Sequence, residues 1–241
     1  MTYWILKAVL TPLLYGVFRV RVEGRHNIPG AGPVIYAANH RSFMDSIFLP
    51  LVLRRRMTFV ANAEYFDDPR SAWFFRAVGQ IPIRREGGSA SQRALDAATD
   101  VLDQGGQFGI YPEGTRTRDG LLHRGHTGVA RLALRTGAPL VPVGLVGTDE
   151  IQPTDSKMPR FFRTVTVRFG RPIDLSHYEG RADDHLALRQ LTDELMFEIH
   201  ELSGYEYSDT YATKSATADR TSVEASPEVL ELPVRVATLA S

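Results

Sequence analysis

No cysteine occurs in the 241 residues, which excludes disulfides, thiolate metal sites and a cysteine nucleophile, and leads us to expect an intracellular protein. Lysine is scarce too: most of the 28 basic residues are arginines, whose planar fork suits bidentate recognition of phosphate or carboxylate. The 7 histidines form neither a His-x3-His nor a His-Glu-x2-His pattern, so no metal site is expected. Nowhere does an apolar run reach the roughly 20 residues that span a bilayer. The basic leader and small-residue cleavage site of a signal peptide are also missing.

What is there is unevenly spread. The formal charge is zero, yet residues 1–173 carry 23 Lys+Arg against 14 Asp+Glu, and residues 174–241 carry 5 against 14. The basic body predicts an anionic ligand or surface; the plainer alternative is an arginine-rich solvated face. The most apolar stretch lies in residues 1–20, where Lys7, Thr11, Tyr15 and Arg19 recur every four residues. One polar stripe on an otherwise apolar helix predicts a helix lying in the membrane interface, with Trp4 at headgroup level, in preference to one packed across a core.

The length suits one well-buried domain with appendages. Short apolar strands are expected at 20–24, 34–38, 57–60, 79–85, 107–111, 140–146 and 164–169, separated by helical patterns at 71–78, 91–104, 127–135 and 182–203. That order predicts an α/β fold: a single layered domain with a mixed, largely parallel central sheet flanked by helices, preceded by the interfacial helix. The expected boundaries are 1–19 for that helix, 20–204 for the domain and 205–241 for a polar, acidic tail. Residues 206–228 read as weakly ordered, and Val229 to Leu239 has the composition of an element that docks back. Arg54-Arg55-Arg56 reads as a solvated helix end or, alternatively, as a contact for anionic headgroups.

The chemistry centres on Asn39-His40-Arg41-Ser42-Phe43-Met44-Asp45, at an expected strand-to-helix junction. On one continuous helix, His40 and Asp45 would point about 140° apart. They meet only if His40 lies in the non-helical approach and Asp45 in the first turn. A general base and the carboxylate that orients it is then one reading; a capping box, Ser42-x-x-Asp45, is the other.

Three later motifs follow in order: Gly79-x-Ile81-x-Ile83-x-Arg85, then Tyr111-Pro112-Glu113-Gly114-Thr115-Arg116, then Val141-Pro142-Val143. With the first, over residues 20–175, they resemble the glycerolipid acyltransferase family, which includes the 1-acylglycerol-3-phosphate acyltransferases. The resemblance implies that His40 deprotonates an acceptor hydroxyl, which attacks an acyl thioester directly, while Asp45 holds the imidazole tautomer. It implies that Glu113, Gly114, Thr115 and Arg116 bind the acceptor's glycerol phosphate, with Arg85 as a second phosphate ligand. Arg124 stands where relatives often carry a lysine and is a further candidate. A salt bridge to an arginine is the structural alternative for Glu113, and Pro142 reads as structural. Amides at the start of the His40 helix or in the second-motif strand are candidate oxyanion donors.

No cofactor is implied; acyl-CoA or acyl-carrier protein serves as co-substrate. The implied partners are a lysophospholipid acceptor and a membrane surface, with no nucleic acid, and the implied place is the cytoplasmic face of the cell membrane, peripheral or monotopic. The same chemistry on another lysophospholipid or a glycolipid, a (thio)esterase that activates water, and a silent membrane scaffold are the competing readings.

Overall fold

A computed structural model describes residues 2–84, 90–154, 156 and 158–213. Helix α1 (Thr2–Val17) leads into β1 (Arg19–Glu23), β2 (Val34–Ala38), α2 (Asp45–Val52) and β3 (Met57–Asn62). Then come α3 (Glu64–Asp67), α4 (Pro69–Ala77), β4 (Ile81–Ile83), α5 (Ala90–Asp103), β5 (Gln107–Ile110) and β6 (Leu122–His123). Helix α6 (Gly128–Thr136), β7 (Leu140–Val146), α7 (Thr148–Ile151), β8 (Thr164–Phe169), α8 (His185–Ser203) and β9 (Tyr207–Ser208) complete the described chain.

Seven strands form one sheet in the order β1-β8-β7-β2-β5-β3-β4. Every pair is parallel except β7 with β8. The mixed, largely parallel sheet expected from the chain order is therefore present. β2 lies at its centre and all five of its residues are buried, which explains why Val34-Ile35-Tyr36-Ala37-Ala38 is apolar throughout and does not alternate. Val34, Tyr36 and Ala38 face the core shared with α2, whereas Ile35 and Ala37 face α5, α6 and α8.

The helices obey local rules. Ala98 and Leu102 lie on the buried face of α5, and the chain leaves that helix through Gly105-Gly106. Asp184 caps α8 by accepting from the amides of Leu186 and Ala187, and Gly204 ends it in the left-handed conformation. Pro142 sits inside the sheet at no cost in pairing. Its carbonyl accepts from Gly170 on the β8 side, and the β7–β8 register starts one residue later, at Val143 with Phe169.

Two expectations need correction. Lys7 does not lie on a water-facing stripe of α1. Its ammonium turns inward onto the carbonyls of Pro50 and Leu53 at the end of α2, and burial lowers its pKa. The outward face of α1 is apolar instead, with Trp4, Ile5, Val9 and Leu13 exposed. Nor does the body stop at residue 204: β9 pairs with β6, Leu122 opposite Tyr207 and His123 opposite Ser208. Residues 214–241, including the segment expected to dock back, lie outside the described residues. The arginine triplet is partly structural, because Arg55 bonds the carbonyls of Gly32 and Gly105 and Arg56 lies over the Tyr3 ring. No helix among the described residues is long and apolar enough to cross a membrane.

Candidate active site

The chain leaves the central strand β2 at Ala38 and takes six residues to enter α2 at Asp45. Asn39 fixes the exit: its side-chain amide donates to the carbonyl of Leu145 at 2.9 Å and accepts from the amide of Leu145 at 2.7 Å. This two-way bond ties the loop to β7 and is fully buried.

Asp45 then acts as the loop's hub. Its Oδ2 accepts from the backbone amides of Arg41 and Ser42, both at 2.7 Å, and lies 2.9 Å from Nδ1 of His40. The capping-box reading holds only in part: Asp45 reaches back to the Ser42 amide, but α2 begins at Asp45 after Met44 and the Ser42 hydroxyl takes the amide of Met44, so Ser42 does not cap the helix. The same oxygen orients the imidazole. With Nδ1 engaged, Nε2 is the nitrogen left to act on a proton.

The ring is held flat as well. Tyr111 stacks on His40 with centroids 3.8 Å apart and planes at 7°, and Phe59 continues the stack behind it at 5.3 Å. Burial, reinforced by the Asp45 charge, raises the Tyr111 phenol well above its usual range, so it stays neutral and bonds Ser46 at 3.0 Å.

Glu113 is buried and forms no salt bridge to an arginine among the described residues. One carboxylate oxygen accepts the His40 amide and the other the His123 amide, each at 2.9 Å. Its carboxylate thus staples the His40 loop to β6. Burial pushes its pKa up to about 7 even though both amide bonds favour the charged form.

His40 opens onto a cavity of about 880 Å³. Leu6, Leu10 and Leu14 of α1 line one arm with Ile47 and Pro50; Ala94, Leu95 and Ala98 of α5 line another with Val129. The walls are mainly apolar, as a fatty chain requires. Gly114, Thr115 and Arg116 reach the cavity wall beside His40, and His126 joins them. Gly114 has φ +73°, a backbone that favours glycine, and a β-carbon there would stand 3.1 Å from the His126 ring, which would have to shift. Among the described residues Arg116 has no hydrogen-bond or ion-pair partner, which leaves its guanidinium free for an anion.

The other candidates fall elsewhere. Glu113 is behind the wall instead of on it. Arg124 lies 3.6 Å from Asp209 and over the Tyr211 ring, outside the residues that line the cavity. Arg85 lies outside the described residues. The amides of Arg41, Ser42 and Met44, candidate oxyanion donors, are taken by Asp45 and the Ser42 hydroxyl.

Sequence reasoning missed Arg41, which bonds Asp149 and Gly120 and stacks at 4.0 Å over the ring of Tyr205. Its adjacency to His40 was the only local signal. It also missed His126 and the inner face of α1 as cavity walls, because those contacts depend on how distant elements pack. Among the described residues no group of acidic and histidine side chains has metal-site geometry.

Residues 19–146, more than half of the chain, match the family described as Acyltransferase. The chain is 30% identical over 172 residues to a chloroplastic 1-acyl-sn-glycerol-3-phosphate acyltransferase of Arabidopsis thaliana, covering 71% of this chain and 48% of that protein. It is 30% identical over 131 residues to the human alpha enzyme of the same name, covering 54% of this chain and 46% of that protein. The chain thus spans about half the length of the curated relatives it matches. A crystal structure of the 1-acyl-sn-glycerophosphate acyltransferase PlsC from Thermotoga maritima superposes with a TM-score of 0.64 at 29% identity, covering 82% of this chain and 76% of that one.

Proposed function

Because the chain belongs to the acyltransferase family, we propose that it transfers a fatty acyl group from a thioester to the free hydroxyl of 1-acylglycerol-3-phosphate, giving phosphatidic acid. One observation carries this reading: an imidazole fixed through Nδ1 faces an apolar cavity that also presents an arginine unpartnered among the described residues. The relatives named for the same reaction support the choice of acceptor.

In this mechanism His40 Nε2 takes the proton of the acceptor hydroxyl as its oxygen attacks the thioester carbonyl. Asp45 stabilises the imidazolium so formed. The tetrahedral intermediate collapses, the C–S bond breaks, and the proton passes from His40 to the departing thiolate. The products are an ester and a free thiol. Arg116 holds the acceptor's phosphate, with the backbone of Gly114 and Thr115 beside it, and Arg85 is the second phosphate ligand. Glu113 acts through the backbone of His40 without touching substrate. Acyl-CoA or acyl-carrier protein is the donor, and no cofactor takes part. The apolar outer face of α1 rests in the cytoplasmic leaflet, so both lipids reach the cavity from the membrane.

Labelled acyl-CoA incubated with a panel of lysolipids tests this directly. Acylation of lysophosphatidate, abolished in His40→Ala, is the expected result. Activity confined to acceptors without a phosphomonoester would overturn the acceptor assignment. Fatty acid released equally fast with and without acceptor would make the protein a hydrolase.

A further inference from the structure

The turn that enters β8 has features the reaction does not use. Phe162 is 74% exposed and holds φ +61°, a left-handed backbone that bulky side chains avoid. Phe161 beside it is 54% exposed. An exposed phenylalanine pair gains nothing in water, and at the left-handed position of Phe162 glycine or asparagine would serve the turn better. Strain of this kind persists where it serves a site.

The turn is fastened to the end of α1. The Phe162 amide donates to the carbonyl of Val17 at 3.2 Å, the Arg19 amide donates to the carbonyl of Arg163 at 3.0 Å, and the rings of Phe161 and Phe18 lie 6.2 Å apart. The aromatic pair is therefore continuous with the helix whose outer face exposes Trp4, Ile5, Val9 and Leu13. Arg160 and Arg163 flank it in the chain and Arg19 is bonded to Arg163; all three are exposed, and none has a side-chain partner among the described residues. Exposed aromatic side chains flanked by cations unpaired among the described residues match an anionic leaflet: rings below the headgroups, guanidinium groups on the phosphates.

We propose that Phe161 and Phe162 form a second membrane wedge, inserted beside α1 into an anionic leaflet and clamped there by Arg19, Arg160 and Arg163. The axis of α1 and one further anchored point beside it define a plane, so the wedge sets how the body sits on the leaflet and keeps the cavity wall lined by Leu6, Leu10 and Leu14 against the lipid. This inference extends the membrane reading above and fails separately from it.

The test is co-sedimentation of the full chain with phosphatidylcholine vesicles, with and without phosphatidylglycerol. Phe161→Ser with Phe162→Asn, which suits the left-handed position, should weaken partitioning to both vesicles by on the order of tenfold per ring. Arg160→Gln with Arg163→Gln should lower binding only to anionic vesicles, by about tenfold or more. Neither pair should change turnover of short-chain, monomeric substrates. Native binding by the phenylalanine variant, while deletion of residues 1–17 releases the protein, would overturn the wedge alone. Native binding by both would overturn the membrane reading itself. A self-association lost in the phenylalanine variant with vesicle binding intact would reassign the patch to a second copy of this chain.

Discussion

The cavity has two kinds of wall. Around His40 the contacts are polar and directional: Asp45 takes three donors on one oxygen, Glu113 bridges two amides, and Asn39 exchanges two bonds with Leu145. Along α1 and α5 the lining is aliphatic, and α1 is pinned to α2 chiefly by Lys7 on two carbonyls. Hydrogen bonds weaken steeply with angle, whereas apolar contact is non-directional. The first wall therefore holds one side chain in a fixed orientation, and the second suits, in the proposed reaction, a chain that slides.

Substitutions can break this contrast. His40→Ala should reduce acyl transfer by about 10²–10⁴-fold while leaving the thermal midpoint nearly unchanged. An equal loss from any aliphatic change along α1 would erase the distinction between the walls. Asp45→Ala, measured by urea denaturation, should lose about 3 kcal/mol, because it strands buried donors that had shared one charged acceptor. Stability within a few tenths of native would show that the loop holds its shape without its hub.

Glu113→Gln sharpens the comparison through pH. The folded-state pKa of Glu113, about 7, exceeds its reference value of 4.5, so between the two the folded state holds the extra proton. Ionisation of Glu113 thus costs the fold more as pH rises through that window. The glutamine variant lacks this slope: its deficit against native protein should narrow by about 1–3 kcal/mol between about pH 5 and about pH 8. A deficit independent of pH would mean that the carboxyl titrates normally. The smallest effect is expected for Leu10→Ala, below about 1.5 kcal/mol because the residue is only half-buried. It should still shift the preferred acyl length, and an unchanged chain profile would remove α1 from the substrate wall.

Much of the architecture was legible because it rests on local pattern. The unbroken apolar run of β2 signals a central strand, and Gly105-Gly106 marks a helix end. His40 and Asp45 were legible because five residues at a helix start admit only one way to meet. Arg124 misleads for a physical reason: a basic residue near the phosphate motif suits an anion, but Asp209 and Tyr211 reach it first, and nothing near residue 124 announces a segment so distant in sequence. Glu113 likewise has a phosphate-site neighbourhood in sequence and a backbone role in space. Lys7 defied its stripe because the carbonyls of Pro50 and Leu53 offered an acceptor that no helical wheel contains.

The contact of Tyr205 with Arg41 bears on how the protein is made. Arg41 follows His40, yet the ring that covers it belongs to a residue beyond α8, and Thr210 accepts the Arg124 amide further on still. On the ribosome, β2, α2 and β3 emerge long before these partners do. A nascent chain can collapse around its central strand early, and Glu113, Leu145 and Asp149 can brace the loop bearing His40 as they emerge, but its last brace, the Tyr205 ring over Arg41, waits until the segment after α8 has left the exit tunnel.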